Sequence, residues 1–159
     1  MKFSIILPTW NNLGYLKVCL DSIKKNSKYE HDINVHINDG SDGTTEYLSN
    51  NGIKFNHSVE NIGLCKGANS AATLAETDYI IYTHDDMYFL PNWDFFLNEE
   101  IKKLKTNLYY ISGTMMGPKG CGFLEFNCGT TFNDFDEAKL LKNFHNFNYF
   151  DHQGSHWAP

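Results

Sequence analysis

Residues 79–93, YIIYTHDDMYFLPNW, run an apolar, aromatic segment into His84-Asp85-Asp86 and return at once to aromatic side chains. Two adjacent carboxylates repel each other and resist burial unless a proton or a cation neutralises them. A divalent metal, the N-terminus of a helix just downstream, or catalysis would each explain the pair. Three further polar clusters precede it: PTWNN at 8–12, NDGSDGT at 38–44 and ENIGLCKGANSA at 60–71. In the last of these Gly63 stands where a helix should begin, and the free N–H groups of a helix N-terminus attract anions. All 13 basic side chains are lysines. Any phosphate must therefore be held without an arginine fork, by lysine, backbone N–H groups or metal.

The pattern around these clusters supplies the elements that must position them. Residues 2–8 read as a buried strand. Residues 11–26 carry Leu13, Leu16, Leu20 and Ile23 at helical spacing, and 32–39 alternate Ile33, Val35 and Ile37 as a second strand. A helix over 41–52, with Ser41 or Asp42 as cap, precedes a third strand at 53–58. A slim helix over 61–77 follows, then a fourth strand at 78–84. The 92–105 helix has an apolar stripe of Trp93, Phe96, Leu97, Ile101 and Leu104. Residues 108–116 read as a fifth strand, 117–132 as a loop with a hairpin or edge strand, and 136–144 as a short helix. Strands alternating with helices predict an α/β domain, with a mainly parallel sheet, right-handed crossovers and helices on both faces. Ligands of such sheets bind outside the carboxyl ends of the strands. The first strand ends in Pro8-Thr9-Trp10-Asn11, the second in Asn38-Asp39-Gly40-Ser41 and the fourth in His84-Asp85-Asp86, so the fold gathers all three on one rim.

Size and composition narrow the function. The 159 residues suffice for one domain with its own core, and 42% hydrophobic residues with 15% aromatics exclude a disordered chain. A net charge of −6 argues against a nucleic-acid partner. No apolar run approaches the roughly 20 residues that span a membrane, and MKFSIILPTW does not read as a secretory signal. The expected location is the cytoplasm, or peripheral at the inner face of the membrane. Cys19, Cys65, Cys121 and Cys128 form no CxxC pair. They read as free thiols, with Cys19 and Cys65 buried in apolar helical patterns.

The segments SIILPTWNN, INDGSDGT, NIGLCKGANSA and YTHDDMYFLPNW resemble, in order and spacing, the GT-A glycosyltransferases of the family 2 type. The likeness covers about residues 3–115. It implies a Rossmann-like GT-A domain that transfers a sugar from a nucleotide-sugar donor, with Mg²⁺ or Mn²⁺ at the acidic motif. Members of this family usually carry two aspartates before Gly-Ser, of which the second contacts the base. Here the first is Asn38 and the second is Asp39, a carboxylate able to accept from N3–H of uracil or thymine, or from guanine. Pro8, Thr9, Trp10 and Asn11 would line the base and ribose, Trp10 covering the base or simply packing. Gly63 and Lys66 are candidates for the donor phosphates, and Asn69 for fixing the loop that holds the nucleotide. The family's acidic motif is Asp-x-Asp. Counting back from Trp93 aligns its last aspartate, the metal ligand, with Asp86 and its first with His84, while Asp85 would contact the ribose or donor sugar. Imidazole suits Mn²⁺ better than Mg²⁺.

In this family the second half supplies the acceptor site and, in inverting members, a carboxylate base. Asp134, Asp136, Glu137 and Asp151 are available, but none matches a motif, so the catalytic base is unknown and is expected beyond residue 159 if the chain is truncated. His145, His152 and His156 are candidates for assisting metal or diphosphate, each with a surface role as the plainer reading. The expected organisation is one GT-A-like domain over 1–159, with a nucleotide-sugar-binding part at 1–115 and a partial acceptor-side part at 116–159. A UDP- or dTDP-sugar is the favoured donor, and a glycan or lipid-linked hydroxyl the acceptor. The aromatic tail after residue 145 would invite self-association. Two other readings compete: a module that binds a nucleotide-sugar or glycan without turnover, and a nucleotidyltransferase, which PTWNNLGYLK disfavours for want of a Gly-rich basic loop.

Overall fold

In the computed structural model, which describes residues 1–118 and 124–147, the chain divides into two units, Met1–Lys103 and Leu104–Pro159. Alternation along the strands builds the first. β1 (Ser4–Trp10) pairs in parallel with β2 (Asp32–Asn38) and with β4 (Ile80–Tyr82), and β2 pairs in parallel with β3 (Lys54–Ser58). The sheet order is β3-β2-β1-β4. Successive side chains of a strand point to opposite faces. Ile5 and Leu7 of β1 and Val35 and Ile37 of β2 share one face, where they pack with Leu16, Cys19, Leu20 and Ile23 of α1 (Leu13–Asn26) and Leu48 of α2 (Thr44–Asn50). The expected parallel sheet flanked by helices is what forms.

The opposite face is polar on β2, where Asp32, Asn34, His36 and Asn38 are all buried. α3 (Leu64–Ala72) covers it with small residues: a Cβ on Gly67 would come within 3.0 Å of His36 Cδ2 and 3.2 Å of Pro8 Cβ. Glycine there lets the helix lie close on a sheet face that holds polar side chains. Those side chains are paired, save the buried Asn34 Oδ1, which has no partner among the described residues. Asp32 accepts from Ser4 Oγ at 2.9 Å, Asn34 Nδ2 at 2.8 Å and Lys54 Nζ at 2.7 Å. His36 bonds Asn56 Oδ1 at 2.6 Å and Ser58 Oγ at 3.2 Å.

Three readings from the pattern need correction. Cys65 is exposed rather than buried, because it lies two residues, about 200°, round the helix from the sheet-facing Gly67. In α4 (Trp93–Lys103) Trp93 does pack against the core, but the buried side chains are Asp94 and Asn98, while Phe96 is 62% exposed and Leu104 is also exposed. Asp94 turns that face inward by accepting from Lys28 N at 2.9 Å, Tyr29 N at 2.8 Å and His31 Nε2 at 3.1 Å. The fifth strand over 108–116 is absent among the described residues. Apart from β5 (Met116–Gly117), which pairs in parallel with β6 (Leu124–Glu125), that run finds no ladder partner, and Leu108 and Tyr110 are 90% and 86% exposed. Strand propensity without a partner leaves the backbone to water. The second unit ends its described part with α5 (Glu137–Asn143), the short helix expected at 136–144, and a single 3-10 turn at Phe144–Asn146. No helix among the described residues is long and apolar enough to cross a membrane.

Candidate active site

The carboxyl ends of β1, β2 and β4 meet at an open cleft of about 310 Å³. Of the residues singled out from sequence, Pro8, Thr9, Trp10, Gly63, His84 and Asp85 line it. Asn12, Asn38, Asn61 and Leu64 complete the lining. Asp85 is held from both sides. Thr9 Oγ1, itself buried, donates to Asp85 Oδ2 at 2.6 Å, and Asn12 Nδ2 donates to Oδ1 at 3.0 Å. Burial pushes the Asp85 carboxyl above the ordinary range, against the lowering effect of these two bonds and with the Asp86 charge adding to the rise. The raised value marks a group that gains from a nearby cation.

Asp39 belongs to a neighbouring turn. Asn11 and Asp39 both adopt left-handed backbone, at φ +47° and +67°, a region Asn and Asp tolerate better than most side chains. Asn11 ties the two ends together: its Nδ2 donates to Asp39 Oδ2 at 2.9 Å and to Ser41 Oγ at 3.1 Å, and its Oδ1 accepts from Gly40 N at 3.0 Å. His57 Nε2 donates to the Asp39 carbonyl at 2.7 Å. Hydrogen bonds from Ser41 and then Asn11 hold the Asp39 carboxyl below its usual range, so it is an anionic acceptor at neutral pH.

The third wall comes from the start of α3. Gly63 adopts φ +84°, a conformation open to glycine, and its N–H is taken by Asn61 Oδ1 at 2.8 Å. Asn38 anchors the preceding residue, accepting from Ile62 N at 2.9 Å. Trp10 is 58% exposed on the rim, outside the core. Lys66 and Asn69 are exposed on α3 and do not line the cleft, and among the described residues no lysine does.

His84 and Asp86 are both exposed; His84 Nε2 lies 2.9 Å from Tyr82 Oη, and Asp86 does not line the cleft. No group of three or more His, Cys, Asp and Glu gathers among the described residues as a metal cluster.

Asn12 and Asn61 were not singled out from sequence. Asn12 directly follows Asn11 and Asn61 precedes Gly63 by two residues; each looks like a cap or turn residue, so only the fold reveals what its side chain reaches. In the second unit, Asp134 accepts from the N–H and hydroxyl groups of Thr130 and Thr131, which hold its carboxyl down at about 2. Asp136 caps α5 through Lys139 N at 2.8 Å. His145 lies in the 3-10 turn. Cys121, Asp151, His152, His156 and the aromatic tail from 148 lie outside the described residues.

The family model described as glycosyl transferase family 2 matches residues 4–150. Among solved structures, S. aureus TarS 1–349 resembles the chain at 24% identity with a TM-score of 0.54, over 64% of this chain and 32% of that one. Its complex with UDP matches at 23% and 0.55, over 72% and 39%, and its complex with UDP-GlcNAc at 24% and 0.51, over 64% and 30%. The chain thus spans about a third of the length of these structures, and identity at this level carries the fold alone. No curated protein matches the chain.

Proposed function

The chain belongs to glycosyl transferase family 2, and on that premise we propose that its cleft binds a nucleotide-diphosphate sugar, with a UDP- or dTDP-sugar favoured, for transfer to an acceptor hydroxyl. One observation carries the reading: carboxylates from two distant motif segments are fixed on a single rim at the carboxyl ends of the sheet, Asp85 by Thr9 and Asn12, Asp39 by Asn11. Such positioning serves a ligand, because an exposed turn needs no long-range side-chain ties to hold its acids.

The residues divide the donor between them. Asp39, anionic at neutral pH, accepts from N3–H of a pyrimidine base, and exposed Trp10 offers its ring as cover. Asp85 faces the ribose or the donor sugar. The start of α3 presents N–H groups toward the diphosphate. With no lysine among the described residues lining the cleft, the charge of the diphosphate needs more than this. A cation shared between protein and ligand would supply it: Asp86, with His84 two residues before it in the motif, would hold Mn²⁺ or Mg²⁺ together with diphosphate oxygens. Mg²⁺ in particular is commonly bound by one or two carboxylates plus phosphates. When bound, the ion neutralises the leaving diphosphate. In the transfer itself the acceptor oxygen bonds to the anomeric carbon as the bond from that carbon to the diphosphate oxygen breaks, and the acceptor hydroxyl gives up its proton to a general base or to solvent. Inversion at the anomeric carbon is what the family implies.

UDP is the first probe, since UDP and UDP-GlcNAc occupy complexes of S. aureus TarS. Calorimetric titration of UDP, dTDP and GDP, with and without Mn²⁺, should give metal-dependent binding of one pyrimidine nucleotide, lost in Asp86→Ala. Failure of all three to bind the folded protein would remove the donor site. The alternative is a module that holds the donor without turnover, with His84 standing where the family's acidic motif has its first aspartate; Asp134 and Asp136 serve a local turn and a helix cap. Release of UDP from UDP-sugar in the presence of acceptor glycans separates the two.

A further inference from the structure

We propose that Asn12 is a positioning residue, its side chain diverted from capping α1 to fixing the Asp85 carboxylate in the cleft. This rests on the reading above, in which Asp85 faces the donor. Asn12 occupies the N-cap of α1, where an asparagine side chain ordinarily accepts from an N–H of the first turn. It makes no such bond. The first N–H of the helix, that of Leu13, is bonded instead to Asp42 Oδ2 at 2.8 Å, from the turn after β2. The other oxygen of Asp42 accepts from Thr44 N at 3.1 Å and Thr44 Oγ1 at 2.7 Å, at the start of α2. One carboxylate therefore serves the first N–H groups of two helices, while the Asn12 side chain, which makes no cap bond, turns its Nδ2 to another partner.

That partner is Asp85. Asn12 Nδ2 holds Oδ1 at 3.0 Å while Thr9 Oγ1 holds Oδ2 at 2.6 Å. A carboxylate held through one oxygen can still rotate about its last torsion, which is broad and weakly constrained. Donors on both oxygens fix its plane. Asn12 itself lines the cleft, so the bond lies on the side a ligand approaches. Neither ionised aspartate nor alanine at position 12 could donate to Asp85, and serine is too short to reach as the amide does.

The test is UDP titration with Mn²⁺ on the full chain, for wild type, Asn12→Ala, Asn12→Ser, Asp85→Ala and the Asn12→Ala/Asp85→Ala double variant, with thermal melts of each. Asn12→Ala and Asn12→Ser should both weaken UDP by about tenfold, the size of one lost hydrogen bond to a charged group. Their Tm should stay within about 1 °C of wild type, where a lost cap would lower it by about 2–4 °C. In the Asp85→Ala background the effect of Asn12→Ala should vanish, because partners in one bond are not additive. Additive losses in the double variant, or a Tm drop with UDP binding unchanged, would overturn the role given to Asn12. So would an Asp85→Ala loss that Asn12→Ala fails to reproduce in part. Wild type that binds no UDP overturns the donor-site reading and this inference with it, whereas wild type that binds UDP beside an Asp85→Ala variant that binds it equally well overturns this inference alone.

Discussion

Asp85 and Asp86 are neighbours in sequence and opposites in circumstance. Asp85 is tied by two donors and desolvated, and its carboxyl is pushed up; Asp86 stands exposed beside it. The thiol of Cys19 lies behind the pair, 3.7 Å from the His84 carbonyl oxygen. Burial first, then the charges of Asp85 and Asp86, push this thiol up to about 12. Cys65 is exposed on the outer face of α3. Iodoacetamide at pH 8 should therefore label Cys65 in the folded protein and leave Cys19 untouched until denaturant is added, as read by peptide mass spectrometry. Equal labelling of the two would mean that α1 does not seal the back of the acidic motif. The sequence alone put both thiols in apolar helical patterns. It could not tell which side of a short, small-residue helix would face the sheet.

Among the elements, the join between β1, β2 and β3 depends on Asp32. Burial alone would raise its carboxyl, but the bonds from Lys54, Asn34, Ser4 and the Glu76 N–H outweigh burial and hold it at about 2. A depressed folded-state value means that unfolding is accompanied by proton uptake in acid. The stabilisation is present in full above the unfolded value of about 4 and is lost as the pH falls toward 2, on the order of 2 kcal/mol. Urea midpoints of wild type should drop between pH 5 and pH 2.5 by more than those of Asp32→Asn, whose deficit is largest at pH 5 and narrows in acid. A deficit that stays constant across that range would mean the carboxylate contributes through shape and not charge. The polar lattice under α3 is illegible in sequence for a simple reason. Asp32, Asn34, His36 and Asn38 alternate with apolar residues as a half-solvated strand would, yet α3 covers them, and they are accommodated by pairing with one another's neighbours.

At the scale of the whole molecule, every described residue of the cleft lies within Met1–Lys103. The segment after it, 104–115, has no regular structure and exposes Leu108 and Tyr110. Backbone of that kind is where proteases cut first. Limited chymotrypsin should nick the folded chain within 104–115, and the N-terminal fragment should keep UDP affinity within about threefold of the intact chain, since no cleft contact is lost. A fragment that no longer binds UDP would assign part of the donor site to the second unit. First cuts elsewhere would mean that 104–115 is protected.

The sequence by itself determined the order of strands and helices through residue 103, the parallel sheet, and the gathering of three polar clusters at its carboxyl edge. Hydrophobic alternation and helical spacing are local quantities, and the placing of strand ends follows from them once the sheet is parallel. It also carried enough of its motifs to resemble the family that the comparison confirms. Only the tertiary structure decided which acid of the pair is desolvated, that Asp42 serves two helices while Asn12 reaches Asp85, that Asp94 and not Phe96 faces inward on α4, and that 108–116 pairs so little. Each of these depends on which groups meet across the chain, and a hydrogen bond or a ladder partner tens of residues away leaves no periodic trace in the residues that receive it.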